Sequence, residues 1–174
     1  MVGEYRALRA TVLRLWGSSQ SSSDLGSVIE DICRSVIEEV EAAESSQHIR
    51  LRTVGDTHGQ WDSRRLHQVF CNLVGNALTC RTPDTPVVLE VTGSERDVIV
   101  TVTNEGPPIP REALQTLFEP LQRGSRGSDS REDDSHLGLG LFVAREIVKA
   151  HHGEIEACSR TGETVFTVRL PRQV

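Results

Sequence analysis

Two asparagines four residues apart, Asn72 and Asn76, stand in the stretch 66–78, LHQVFCNLVGNAL. On a helix, Leu66, Phe70, Leu73 and Ala77 form one apolar stripe, and the amides form a second stripe about 100° round from it. Asparagine competes with the backbone for hydrogen bonds and is a poor helix former. A pair at the rim of a buried stripe is either two tolerated polar residues or two amide oxygens offered to a polar ligand or a hydrated cation such as Mg²⁺. A second candidate is Gly138-Leu139-Gly140 ahead of an apolar helix, where N–H groups and the helix dipole favour phosphate oxygens. A GxG at a loop–helix junction is also routine turn chemistry. The third is Asn104 at a strand end, two residues before Gly106. Its oxygen can accept from the exocyclic amine of a planar base such as adenine, with glycine giving the ring room. Taken alone, the same residues read as an Asn-Glu-Gly turn.

The elements that must position these residues are legible from periodicity. Tyr5, Leu8, Val12 and Leu15 recur at helical spacing with Trp16 beside them, so residues 1–16 read as an amphipathic helix that packs on the domain or on a second copy of itself. Residues 17–23 (GSSQSSS) read as a linker, and 24–174 as the main domain. Asp24 is the expected N-cap of a helix with Val28, Ile32 and Val36 alongside Ile29, Cys33, Ile37 and Val40. Residues 49–53 alternate as a strand does, and Asp62 caps the asparagine helix, which runs to about Cys80. Residues 87–91 and 98–102 are expected to pair as an antiparallel hairpin, followed by a short helix over 111–118. Residues 122–135 (QRGSRGSDSREDDS) carry almost nothing apolar and suit a mobile lid. The lid's Arg123, Arg126 and Arg131 face Asp129, Glu132, Asp133 and Asp134, so it brings little net positive field. Gly153 is expected to cap the helix that Gly140 opens. A last hairpin joins 154–159 to 164–170. This order suits a mixed sheet covered on one face by helices, an α+β two-layer sandwich, rather than a doubly wound parallel sheet.

Composition narrows the function classes. The 174 residues carry a net charge of −6, which argues against a nucleic-acid or anionic-membrane surface. No apolar run approaches the ~20 residues needed to span a bilayer. With no signal segment either, the reading is cytoplasmic, with no direct membrane insertion. Cys33, Cys71, Cys80 and Cys158 are scattered and read as reduced buried thiols, without Cys/His metal spacing.

NLVGNA, NEGPPIP, LFEPLQRG, the polar lid, LGLGLFVAREIVKAHHG and TGETVFTVRLP resemble, in that order, the signature boxes of the histidine-kinase ATP-binding domain of the GHKL ATPases. The resemblance covers about residues 25–172. It implies a Bergerat-type sandwich holding ATP and Mg²⁺ between the asparagine helix, the Asn104 loop and the lid. By that match Asn76 is the Mg²⁺ ligand and Asn72 its neighbour in the phosphate site. Asn104 meets the adenine amine, Gly106 lets the base approach, Thr164 stands near the adenine, and Gly138, Leu139 and Gly140, with Arg123 of the lid, serve the phosphates. No catalytic residue is assigned.

Departures from the pattern are informative. The family usually has aspartate at the position of Asn104; an amide oxygen accepts without the charge, which weakens the contact. Such Asn-x-Gly-x-Pro-Ile-Pro loops resemble those of a subset of sensor kinases, including bacterial phytochromes. Pro108 and His136 replace glycines of the boxes, Leu121 a phenylalanine and Thr79 a lysine, part of whose role Arg81 is a candidate to fill. Hydrolysing and serine-phosphorylating members of the superfamily carry a glutamate where Asn72 stands, so an ATPase or serine kinase is the poorer match. None of His48, His58, His67, His136, His151 and His152 sits in a phosphoacceptor context. His151 and His152 read as helix-end residues and His67 as a surface residue. The resemblance therefore implies a catalytic domain that delivers the γ-phosphoryl of ATP to a histidine outside this chain, on a dimerisation or phosphotransfer module. The alternative is a nucleotide-binding interaction module without phosphotransfer. A homodimer through residues 5–16 is one use of the N-terminal stripe, docking on its own domain the other.

Overall fold

The computed structural model describes residues 27–43, 49–120 and 139–172. The expected N-terminal helix, the linker, Asp24, the lid with Arg123, and Leu121, His136 and Gly138 lie outside the described residues. The elements in order are β1 (Ser27–Val28), α1 (Ile29–Ala43), β2 (Ile49–Val54), β3 (His58–Gly59) and α2 (Ser63–Cys80). They continue with β4 (Val87–Gly93), β5 (Asp97–Glu105), α3 (Arg111–Thr116), α4 (Gly140–Ala150), β6 (Glu154–Arg160) and β7 (Glu163–Pro171).

Five strands form one mixed sheet in the order β2-β4-β5-β7-β6. Only β2 and β4 run parallel, with Leu51 opposite Leu89; the other neighbours are antiparallel. The expected hairpin forms with Val91 opposite Val100, and β5 and β7 pair along their whole length, from Asp97–Pro171 to Glu105–Glu163. Alternation sends Leu89, Val91, Val100, Val102, Phe166 and Val168 to one face, where all are fully buried. The core stripe expected of α2 (Leu66, Phe70, Leu73, Ala77) is also fully buried, joined by Val69 and Val74. Ile29, Cys33 and Val36 of α1 and Ala144, Ile147 and Val148 of α4 complete the same cluster. At about 25 cal/mol per Å² of apolar surface removed from water, this layer contact is the main source of stability.

Three local expectations are corrected. Helix α1 begins at Ile29, not near Asp24, because Val28 pairs with His58 in the two-stranded β1–β3 ladder and Ile29 N–H donates to Thr57 O (3.1 Å). Gly153 is not the left-handed cap of α4. His152 takes that position (φ +55°), its N–H donating to Lys149 O (3.0 Å) while Gly153 N–H donates to Val148 O (2.9 Å), the paired bonds of a Schellman end. Gly153 is glycine for another reason: a Cβ there would stand 2.4 Å from Arg169 O on β7. The thiols are not all buried either, since Cys158 on edge strand β6 is exposed and Cys71 and Cys80 are half-buried.

Candidate functional site

Helix α2 is fixed at its start as the sequence suggests. Asp62 accepts from Arg65 N–H (3.0 Å), satisfying one of the open donors of the first turn. Ten residues on, Asn72 Nδ2 donates to Gly140 O (3.0 Å) at the first residue of α4. A Cβ on Gly140 would lie 3.3 Å from Asn72 Oδ1, so glycine lets the two helices approach at this crossing. The asparagine helix and the glycine-opened helix thus meet at Asn72. Leu139 at the N-cap of α4 makes no side-chain capping bond, so among the described residues donors of the first turn remain for an anion. Asn76, one turn beyond Asn72, is half-buried, and its amide has no hydrogen-bond partner among the described residues. Thr79 spends its hydroxyl on Gly75 O (2.9 Å), and Arg81 Nη1 donates to Thr85 O (2.6 Å), bracing the turn into β4.

The strand end arrives at the same half of α2. Asn104 is 2% exposed and lies directly across from Thr164, 4% exposed. Its Nδ2 donates to Glu105 O (3.3 Å), but its buried Oδ1 has no partner among the described residues. An orphaned buried acceptor costs about 1–3 kcal/mol, so this oxygen is set for a donor from outside. Thr164 Oγ1 is 3.0 Å from Ser159 Oγ, which in turn accepts from Ile109 N–H (2.9 Å) and so holds the proline-rich loop against β6. Periodicity alone does not single out Ser159. Gly106 is glycine because a Cβ would sit 2.5 Å from Cys80 O and 3.4 Å from Asn104 Nδ2. Its first duty is therefore to let the loop close on the end of α2, one helical turn past Asn76. Beyond the loop, Phe118 meets Phe166 edge-on (centroids 6.4 Å apart, planes at 81°), anchoring the chain ahead of residue 121.

The opposite ends of the helices are tied by His151. Its Nδ1 lies 2.8 Å from Ile147 O, and Asp62 N–H donates to its Nε2 (3.2 Å). This pair of contacts requires the neutral ring with the proton on Nδ1. Burial pushes the imidazole below its ordinary range, more strongly than its bond to Ile147 O and the charge of Asp62 raise it. His151 is a brace between the start of α2 and the end of α4, as its helix-end reading implied.

Asn72, Asn76, Asn104, Gly106, Leu139, Gly140 and Thr164 are thus carried by elements that converge on the C-terminal half of α2. Among the described residues the arrangement offers a buried acceptor, an amide without a partner and a helix start without a side-chain cap, a set suited to a polar ligand with a donor-bearing ring at one end and negative charge at the other.

Residues 61–174 match the family described as histidine kinase-, DNA gyrase B-, and HSP90-like ATPase. The chain is 42% identical over 115 residues to the sensor histidine kinase TrcS of Mycobacterium tuberculosis, covering 63% of this chain and 22% of that protein. It is 39% identical over 111 residues to the sensor protein VanSC of Enterococcus gallinarum, covering 64% and 30%. The chain therefore spans less than a third of the length of these curated relatives. Among solved structures, a nucleotide-free catalytic domain of the histidine kinase ThkA superposes with a TM-score of 0.72 at 25% identity, covering 86% of this chain and 97% of that one.

Proposed function

The chain belongs to the histidine kinase-, DNA gyrase B- and HSP90-like ATPase family, and from that premise we propose that it is the ATP-binding catalytic domain of a two-component sensor histidine kinase, delivering the γ-phosphoryl of ATP to a histidine outside this chain. One observation carries the assignment to this site: the buried, unpartnered Oδ1 of Asn104 beside Thr164. Adenine presents the donor this oxygen lacks, and a neutral amide accepts from it, though without the charge that a carboxylate would add.

The residues fit Mg²⁺ and nucleotide together. Asn76 has a free amide oxygen of the hard type that Mg²⁺ takes. Leu139 and Gly140 open α4, where N–H groups face negative charge. Asn72 is held by Gly140 O and so keeps the two helices in register for that task. Gly138 and Arg123 are proposed to complete the phosphate contacts. Bound Mg²⁺ would supply the charge that the lid, with its near-balanced arginines and acids, does not. The amide of Asn72 stands where a hydrolysing member needs a basic carboxylate, which favours transfer to a partner over transfer to water. The proposed partner is a histidine-bearing dimerisation or phosphotransfer module feeding a response regulator, in the cytoplasm. Self-association through residues 5–16 and absence of nucleic-acid binding belong to the same reading. No described helix is long and apolar enough to cross a membrane.

Calorimetric titration with ATP, with and without Mg²⁺, tests binding, and radiolabelled ATP tests transfer. Expected are Mg²⁺-dependent affinity, no acid-labile label on this chain alone, and label on a histidine-bearing helical module from a related kinase. Binding without transfer to any such module would overturn the kinase assignment; absence of binding would overturn the site.

A further inference from the structure

A second cluster of ligand-type side chains lies where α1 packs on α2, on a different face of α2 from Asn72. His67 and Cys71 are one helical turn apart, and Cys71 Sγ is 3.5 Å from His67 Nδ1. Across the interface, Glu39 Oε2 of α1 is 3.4 Å from His67 Nε2. One ligand atom from each of the three lies within 4.8 Å of the other two. Around a tetrahedral zinc with Zn–S near 2.3 Å and Zn–N near 2.0 Å, neighbouring ligand atoms stand about 3.5 Å apart. The Cys71–His67 separation is already at that spacing.

We propose that Glu39, His67 and Cys71 form a binding site for a borderline divalent cation of the Zn²⁺ class, stapling α1 to α2. A thiolate, an imidazole and one carboxylate select such an ion over Mg²⁺ or Ca²⁺, which take oxygen ligands. The i, i+4 pair on α2 is the preformed half, because both side chains project from one helix face and are partly buried. Glu39 meets the other ring nitrogen, so it must swing towards Nδ1. Its side chain is 68% exposed and free to do so. Three protein ligands leave the fourth position to water. Burial and the charge of Glu39 push Cys71 up to about 11, so the empty site holds a protonated thiol and a bound cation displaces that proton. The site shares no residue with the nucleotide reading and stands or falls without it.

The test is titration of the full 174-residue chain, reduced and metal-free, with Co²⁺, followed by the thiolate-to-cobalt charge-transfer absorption. One equivalent of Co²⁺ is expected to produce the band, and Zn²⁺ to abolish it by displacement. Cys71→Ser should remove the band while leaving Cys33, Cys80 and Cys158 in place; Cys158→Ser should keep it. His67→Ala, which retains every thiol, should also remove it, and it decides the matter if circular dichroism shows Cys71→Ser misfolded. No band in the parent chain, or a band of full strength in His67→Ala or in folded Cys71→Ser, overturns the site.

Discussion

Strand β5 joins two ends of the molecule that handle their polar groups in opposite ways. At the Asp97 end almost everything is paired. Arg172 donates through Nε to Ser94 O (2.7 Å), through Nη1 to Asp56 Oδ2 (3.1 Å) and His58 O, and through Nη2 to Asp56 O. Trp61 Nε1 donates to Pro171 O (2.8 Å), Gln60 N–H to Arg172 O (3.1 Å), and His151 joins two helix ends. One guanidinium thus closes the β2–β3 turn, the β4–β5 turn and the end of β7. At the Asn104 end, seven rungs of ladder away, a buried oxygen and the Asn76 amide have no partner among the described residues. The first end is built to hold shape, and the second keeps interactions unspent. That contrast points to the same end of the molecule as the proposed nucleotide site.

The contrast can be broken experimentally. The largest expected effect is on stability at the closed end: Arg172→Ala orphans several carbonyls and should cost about 3 kcal/mol of unfolding free energy. Urea denaturation reads it, and ATP affinity of the folded fraction should not change. At the open end the signs reverse. Asn104→Ala removes the orphaned Oδ1 together with the long Nδ2 bond to Glu105 O, so stability should move by less than about 1 kcal/mol, while ATP affinity by calorimetry falls about tenfold, near 1.4 kcal/mol. An equal loss of stability and affinity in both variants would erase the distinction. Asn76→Ala sharpens it further: stability should stay within about 0.5 kcal/mol, and chelating Mg²⁺ should then weaken ATP binding no more than the substitution already has.

Smaller effects belong to the closed end again. His152→Gly removes a side chain from a left-handed position and should stabilise by about 1 kcal/mol. His151 gives a pH signature. Its imidazole titrates lower when folded than its ordinary 6.5, so its contribution is complete above that value. It is lost as pH falls from 6.5 towards the depressed folded value, because the unfolded chain takes the proton first. Urea midpoints should therefore decline through that acidic window, and His151→Gln should flatten the decline.

Much of the open end was readable beforehand because its residues are locally encoded. The amide pair falls out of helical spacing, Gly140 out of a helix start, and Asn104 out of a strand end. Asp62 and the hairpin of 87–91 with 98–102 were equally local. What escaped depends on contacts between distant segments. Gly106 and Gly153 look like turn residues, yet Cys80 O and Arg169 O, 26 and 16 residues away in sequence, are what exclude a side chain. Arg172 sits near the chain end with no periodic neighbour to mark it. His67 and Cys71 read as a surface histidine and a buried thiol until α1 brings Glu39 against them. Ser159 gains its role only because β6 and β7 place it beside Thr164 and Ile109.

The neutrality of the Asn104 side chain has a pharmacological consequence. Relatives with a carboxylate at this position can reward a cationic headgroup such as an amidinium, whereas an amide oxygen gives such a group no compensating charge for its lost hydration. Competitive inhibitors carrying an amidine should therefore favour carboxylate-bearing kinases over this protein, and by a wider margin than uncharged aminoheterocycles do.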